Sequence, residues 1–201
     1  MHLIHRGILK KNYKENTLSS FKFSFEKGYG IETDIHATKD LEFVCFHDFT
    51  LNRIFKIKRS IKNLDYQNLK NISRNKKTKI PLLKDLLKLS KNKYNLFIEI
   101  KPLFSKKLLR KLIKETNKFK KCVFISFNEK NIYNLLEIKK KINVGLSFTP
   151  RANIKTIIKK SKNKNVNCLI LDKFFINNKV IRKINKKKYF YTIKNKKEFL
   201  K

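Results

Sequence analysis

Apolar positions along this chain switch between two periods. In Gly30-Ile31-Glu32-Thr33-Asp34-Ile35-His36 they fall on every second residue, as on a strand with one apolar face. In Leu18, Phe21 and Phe25 they fall at helical spacing. From the N-terminus, the pattern predicts a strand at 2–5 and then a helix capped at Asn16 or Thr17. Gly28 is placed to end that helix in the left-handed conformation. A second strand follows at 30–36, and Lys39-Asp40 turns the chain into another extended run at 42–47. Only a turn fits between these two runs, so they form a hairpin rather than a helical crossover.

Residues 49–78 are polar and weakly patterned, which predicts an irregular excursion with a helical turn around 63–69. Ile80-Pro81 then opens a helix carrying Leu82, Leu83, Leu86 and Leu87, with the proline near its first turn. Beyond it the alternation is regular. Strands are predicted at 95–101, 122–127, 143–148, 167–171 and 188–193, and helices at 105–119, 128–141, 151–162, 177–186 and 195–200. Such alternation implies parallel strands with helices outside, as a barrel or an open doubly wound sheet.

Composition narrows this. The 201 residues suit one domain, 1–201, and 41% of them are hydrophobic, ample for a core. No apolar run reaches the length of a membrane span, and the N-terminus lacks a signal-peptide stretch. Cys45, Cys122 and Cys168 are odd in number, widely spaced and set in apolar runs. They read as buried thiols in a reducing cytoplasm, not as a disulfide framework or zinc site. Four glycines leave no phosphate-binding fingerprint for a dinucleotide. The net charge of +36 favours anionic partners in general, including a weak attraction to anionic membrane. Its lysines are spread evenly, however, with no aromatic-interleaved basic patch, so no specific nucleic-acid partner is expected.

The candidate chemistry lies on the polar strand faces. Glu32, Asp34 and His36 share one face of the second strand, and Phe97, Glu99 and Lys101 share one face of the fourth. His47 shares a face with Cys45 and Phe43. If these strands are parallel, the carboxylates point into a barrel mouth. Glu32, Asp34 and Glu99 would repel one another there unless a cation held them, and hard oxygen ligands suit Mg²⁺ or Ca²⁺. The competing reading is a structural ion pair with Lys101. His5, followed by Arg6, and His47, followed by Asp48, each end an extended run, and two imidazoles beside a metal and an arginine suit phosphodiester cleavage. His2 and His36 read instead as hydrogen-bonded core residues.

A series of motifs stands in order: His5-Arg6-Gly7, Glu15-Asn16-Thr17, Glu32-Thr33-Asp34, Thr38-Lys39-Asp40, His47-Asp48 with Thr50-Leu51-Asn52-Arg53, Ile80-Pro81, and Ile98-Glu99-Ile100-Lys101-Pro102. Their order and spacing resemble the glycerophosphodiester phosphodiesterase family, strongly over 2–102 and more weakly through Ser126-Phe127-Asn128 and 191–195. The resemblance implies a TIM-type (β/α)₈ barrel with a β-hairpin extension after strand 2. It implies hydrolysis of glycerol-3-phospho-alcohols to glycerol 3-phosphate and an alcohol, in glycerophospholipid breakdown. On matching positions it makes His5 and His47 the acid–base pair, Glu32, Asp34 and Glu99 the ligands of one divalent cation, Mg or Ca, and Arg6 and Lys101 the contacts to the substrate phosphate. The attacking group is the glycerol 2-hydroxyl or a water.

Two positions and the chain's ending depart from the family pattern. Lys14 replaces the usual proline, and Tyr191 stands where a tryptophan is usual. The chain also ends at Lys201, before the family's eighth strand, so a seven-stranded, incompletely closed barrel is expected. Two other functions remain open at this point: a lysophospholipase D acting on lipid, and a basic nucleic-acid or membrane binder on a degenerate enzyme fold. The sequence assigns no oligomeric state.

Overall fold

The computed structural model describes residues 2–11, 14–74 and 78–193. The chain divides into two compact units, Met1–Cys122 and Val123–Lys201.

The first unit is built on β1 (Leu3–His5), β2 (Gly30–Ala37) and β4 (Leu96–Ile100), with β2 paired in parallel to both of the others. Helix α1 (Leu18–Glu26) joins β1 to β2. Thr17 is its N-cap, in a reciprocal capping box with Ser20, and Gly28 ends it at φ +79°, as predicted. Gly7, also at φ +79°, turns the chain out of β1 directly beneath α1. A Cβ there would lie 2.5 Å from Ser20 Oγ, so no other residue fits this corner. The predicted hairpin is present: β3 (Phe43–Cys45) returns antiparallel to β2, and Thr38 Oγ1 bonds both Asp40 and Glu42 across the turn.

The excursion after β3 is more ordered than its sequence suggests. It holds α2 (Asn52–Phe55), a single 3₁₀ turn (Ile61–Asn63) and α3 (Tyr66–Arg74). These pack on a cluster of their own that includes Phe46, Leu51, Phe55, Ile61, Leu64 and Leu69. Each such side chain contributes ~1.5–3 kcal/mol of burial. No single period shows because the apolar residues serve three short elements set at different angles. Pro81 differs from expectation too. It precedes α4 (Leu83–Ser90) as extended chain, its carbonyl accepting from Cys45 N–H at 2.9 Å. Helix α5 (Lys106–Thr116) then follows β4.

The second unit runs β5 (Cys122–Ser126), α6 (Glu129–Ile138), β6 (Val144–Phe148), α7 (Ile154–Ser161), β7 (Cys168–Asp172), α8 (Lys179–Arg182) and β8 (Lys187–Tyr191). Its four strands pair in parallel in that order. Helix α8 is shorter than predicted because Ile181 is its single buried residue. The helix predicted at 195–200 lies outside the described residues. With the three parallel strands of the first unit, the described residues hold seven parallel strands, and β3 adds an antiparallel one. All three cysteines are buried and unpaired. Among the described residues no helix is long and apolar enough to cross a membrane.

Candidate active site

The first unit brings the ionisable face of β2 against its neighbours. Strand register sets His5 beside Glu32, and Asp34 beside Glu99. Ile31, Thr33 and Ile35, on the opposite face, are wholly buried and hold the strand to its packing layer. Glu32, Asp34 and Glu99 each offer an oxygen within 4.8 Å of the others. The three residues predicted to converge do so.

Asp34 is the most deeply set, its side chain 1% exposed. Asn16 Nδ2 donates to its Oδ2 at 3.0 Å, and Arg6 Nε lies 3.2 Å from the same oxygen. Lys101 Nζ stands 3.6 Å from Oδ1 and donates to Glu99 Oε1 at 2.8 Å. The Lys101 ion pair therefore exists, but it lies inside the carboxylate cluster rather than replacing it. Burial, then the charges of Asp34 and Glu99, push the Glu32 carboxyl well above its ordinary range. Burial and Asp34 likewise raise Glu99. Burial alone would lower the Lys101 ammonium, but Glu99 and Asp34 outweigh it and raise it.

The fit to a cation rests on oxygens. Among the described residues, Glu32 Oε2 and Asp34 Oδ1 are buried without a hydrogen bond. An oxygen so placed is costly to leave unsatisfied. Three carboxylate oxygens, two of them orphaned, make a donor set suited to a hard divalent ion. The residues present fit such a group.

Of the predicted histidine pair, His5 contacts this cluster, and His47 lies near enough to interact electrostatically with Glu99. His5 Nε2 lies 3.9 Å from Glu32 Oε2, and burial, followed by the Arg6 charge, lowers its pKa to about 4. His5 is thus a neutral imidazole near pH 7. His47 Nδ1 is 2.6 Å from Asp48 Oδ1, so Nδ1 carries the hydrogen and Nε2 is left for proton exchange. His36 behaves as the core residue expected: it is buried, and its Nε2 lies 3.2 Å from the His47 carbonyl oxygen. His2 does not, being exposed ahead of β1.

The sequence suggested no site role for Glu15, Asn16, Asp48 or Arg53, Asn16 being named only as a possible helix cap. Asn16 has a left-handed backbone (φ +52°) and is 3% exposed, bonding Asp34 and accepting from Thr33 Oγ1 at 2.8 Å. Asp48 and Glu15 are joined through Arg53. Burial would raise Asp48, but hydrogen bonds from Arg53 and His47 outweigh it and lower its pKa. All four residues sit in the motifs quoted above, yet nothing in their spacing shows what they touch.

A model of the glycerophosphoryl diester phosphodiesterase family matches residues 5–183. A glycerophosphodiester phosphodiesterase of Caldanaerobacter subterraneus subsp. tengcongensis is 30% identical over 161 residues, covering 73% of this chain. The match spans 65% of that relative, less than two thirds of its length. A glycerophosphodiester phosphodiesterase crystal structure from Thermotoga maritima is similar at a TM-score of 0.82 and 23% identity, covering 98% of this chain and 88% of that one. A phosphodiesterase of Oleispira antarctica, solved with the product sn-glycerol-3-phosphate, has a TM-score of 0.84 at 19% identity, covering 98% and 86%. Likeness at these identities shows the fold, and that fold is the (β/α) barrel implied by the family resemblance, one of the two architectures that the strand–helix alternation left open.

Proposed function

The chain belongs to the glycerophosphoryl diester phosphodiesterase family, and from that premise we propose that it hydrolyses glycerophosphodiesters to glycerol 3-phosphate and an alcohol. The observation that carries the reading is the convergence of Glu32, Asp34 and Glu99, with His5 beside Glu32 and His47 near enough to act electrostatically on Glu99. The product bound by the Oleispira relative supports the same substrate class.

Charge supports it further. Three carboxylates face two cations, Arg6 and Lys101. A divalent ion held by Glu32, Asp34 and Glu99 would turn this negative excess into a single positive charge, matching a phosphodiester monoanion and stabilising its transition state. Arg6 and Lys101 orient the non-bridging oxygens. His5, neutral near pH 7, takes the proton from the attacking hydroxyl as the new P–O bond forms. His47, its Nδ1–H held by Asp48, acts as the acid in its doubly protonated form. Its Nε2 gives a proton to the leaving alcohol oxygen as the old P–O bond breaks, which leaves the neutral Nδ1–H tautomer. The same roles serve attack by water, which gives glycerol 3-phosphate directly, or by the glycerol 2-hydroxyl, which gives a cyclic phosphate. Water then opens that cyclic phosphate with the proton-accepting and proton-donating roles of the two histidines exchanged.

The test is release of glycerol 3-phosphate from glycerophosphocholine or glycerophosphoethanolamine, with Mg²⁺ or Ca²⁺ and with chelator. Activity that requires the ion and falls by at least about 100-fold in His5→Ala and His47→Ala is expected. A folded wild type that releases none with either ion would refute the reading.

A further inference from the structure

Arg53 touches neither substrate-facing group yet holds the carboxylates that hold both. Its guanidinium reaches Glu15 through NH2 and, at 3.3 Å, through NH1. It reaches Asp48 through Nε at 2.6 Å and NH2 at 3.2 Å. Glu15 Oε1 in turn accepts from Arg6 NH1 at 3.5 Å, and Asp48 Oδ1 bonds His47 Nδ1 at 2.6 Å. The network runs Arg6–Glu15–Arg53–Asp48–His47 and bridges two loops, one after β1 and one after β3. In a chain with 51 Lys+Arg and 15 Asp+Glu, two carboxylates share this one arginine. A partly exposed ion pair adds little to stability unless it is bidentate and networked, as this one is.

We propose that Arg53 is a positioning residue that fixes the His47 imidazole relative to the Arg6 guanidinium, acting through Asp48 and Glu15. The inference rests on the phosphodiesterase reading for its kinetic consequence but not for its structural one. A planar fork bonded to two carboxylates cannot be replaced by a point charge. Arg53 and Glu15 also line a cavity of about 390 Å³, so truncating Arg53 to alanine opens a space a small cation can enter.

The experiment compares wild type, Arg53→Ala, Arg53→Lys, Glu15→Gln and the Arg53→Ala/Glu15→Gln double variant. For Arg53→Ala, kcat should fall about 10- to 100-fold while KM and the half-saturating Mg²⁺ concentration stay within about threefold. Arg53→Lys should be as impaired, and guanidinium at about 20 mM should restore Arg53→Ala several-fold, to roughly a tenth of wild type or better. The double variant should be no worse than Arg53→Ala. Full activity in Arg53→Lys, no guanidinium rescue, or additive losses would each overturn the proposal. The ¹⁵N spectrum of the His47 imidazole separates this from the activity itself. Wild type should show a single tautomer protonated at Nδ1, and Arg53→Ala a mixture. An unchanged His47 spectrum in Arg53→Ala overturns the clamp whether or not the protein turns substrate over. A changed spectrum in a protein that releases no product upholds the clamp and rejects the activity.

Discussion

Replacing Glu32 by glutamine should separate the acidic cluster's cost in the metal-free protein from its use when an ion is bound. Two unit charges 4.8 Å apart repel by about 3.5 kcal/mol at an effective dielectric constant of 20. Glu32 feels two such neighbours, Asp34 and Glu99, and is drawn by two cations, Arg6 and Lys101. Burial is the largest cost to its charged form, and together with the two carboxylates it outweighs the two cations and raises the Glu32 pKa. Glutamine has the same shape, and its amide can donate to the orphaned Asp34 Oδ1. In chelator, Glu32→Gln should therefore lie within about 1 kcal/mol of wild type or be the more stable.

With the ion present the order reverses. Wild type gains about 2.7 kcal/mol at a metal concentration 100 times Kd. If losing one ligand weakens binding about 100-fold, the variant gains only about 0.4 kcal/mol at that concentration. Urea unfolding followed by far-ultraviolet circular dichroism, in EDTA and across a Mg²⁺ or Ca²⁺ titration, measures both quantities. Glu26→Gln, an exposed carboxylate on α1 whose side chain is 55% exposed, serves as control. An equal metal-dependent gain in wild type and Glu32→Gln would refute the site, as would a variant several kcal/mol less stable in EDTA.

Asn16→Ala should destabilise by about 3–5 kcal/mol in urea unfolding. It loses a hydrogen bond to the Asp34 carboxylate, strands the buried Thr33 hydroxyl and forces alanine to a left-handed φ. Asn16→Gly should recover about 1 kcal/mol of that, and equal values for the two variants would remove the backbone contribution from the account. Glu42, bonded by Lys84 at 2.9 Å and by Lys111 at 3.4 Å, has a pKa held below its ordinary 4.5, chiefly by the Lys84 bond. Its contribution is present above that ordinary value and lost as pH falls through the depressed one. Glu42→Gln should thus cost no more than about 1 kcal/mol near pH 7, screened as these exposed partners are, and almost nothing near pH 2. A gap between variant and wild type that widens on acidification would contradict this.

Alternation along single strands was readable without any neighbour. A strand's side chains point to opposite faces whatever it pairs with, so Glu32 and Asp34 had to share a face, with Ile31, Thr33 and Ile35 on the other. Helix α1 was equally legible, because its cap, apolar stripe and Gly28 stop are local. The excursion after β3 was not. Its order comes from an apolar cluster drawn from residues 44–82, and no local period reports a cluster of that kind.

The sequence by itself therefore determined which residues face inward and the residue types able to hold an ion or move a proton. Tertiary structure alone decided the strand register that sets Asp34 beside Glu99, two residues 65 positions apart in the chain. It alone bent the β1 loop so that Asn16 reaches Asp34, and brought Arg53 between Glu15 and Asp48. Register and loop closure depend on how helices and the small cluster pack beneath the strands, and that free energy is summed over many side chains. A polar motif read along the chain shows which side chains are available, while their partners are set by packing that the motif does not contain.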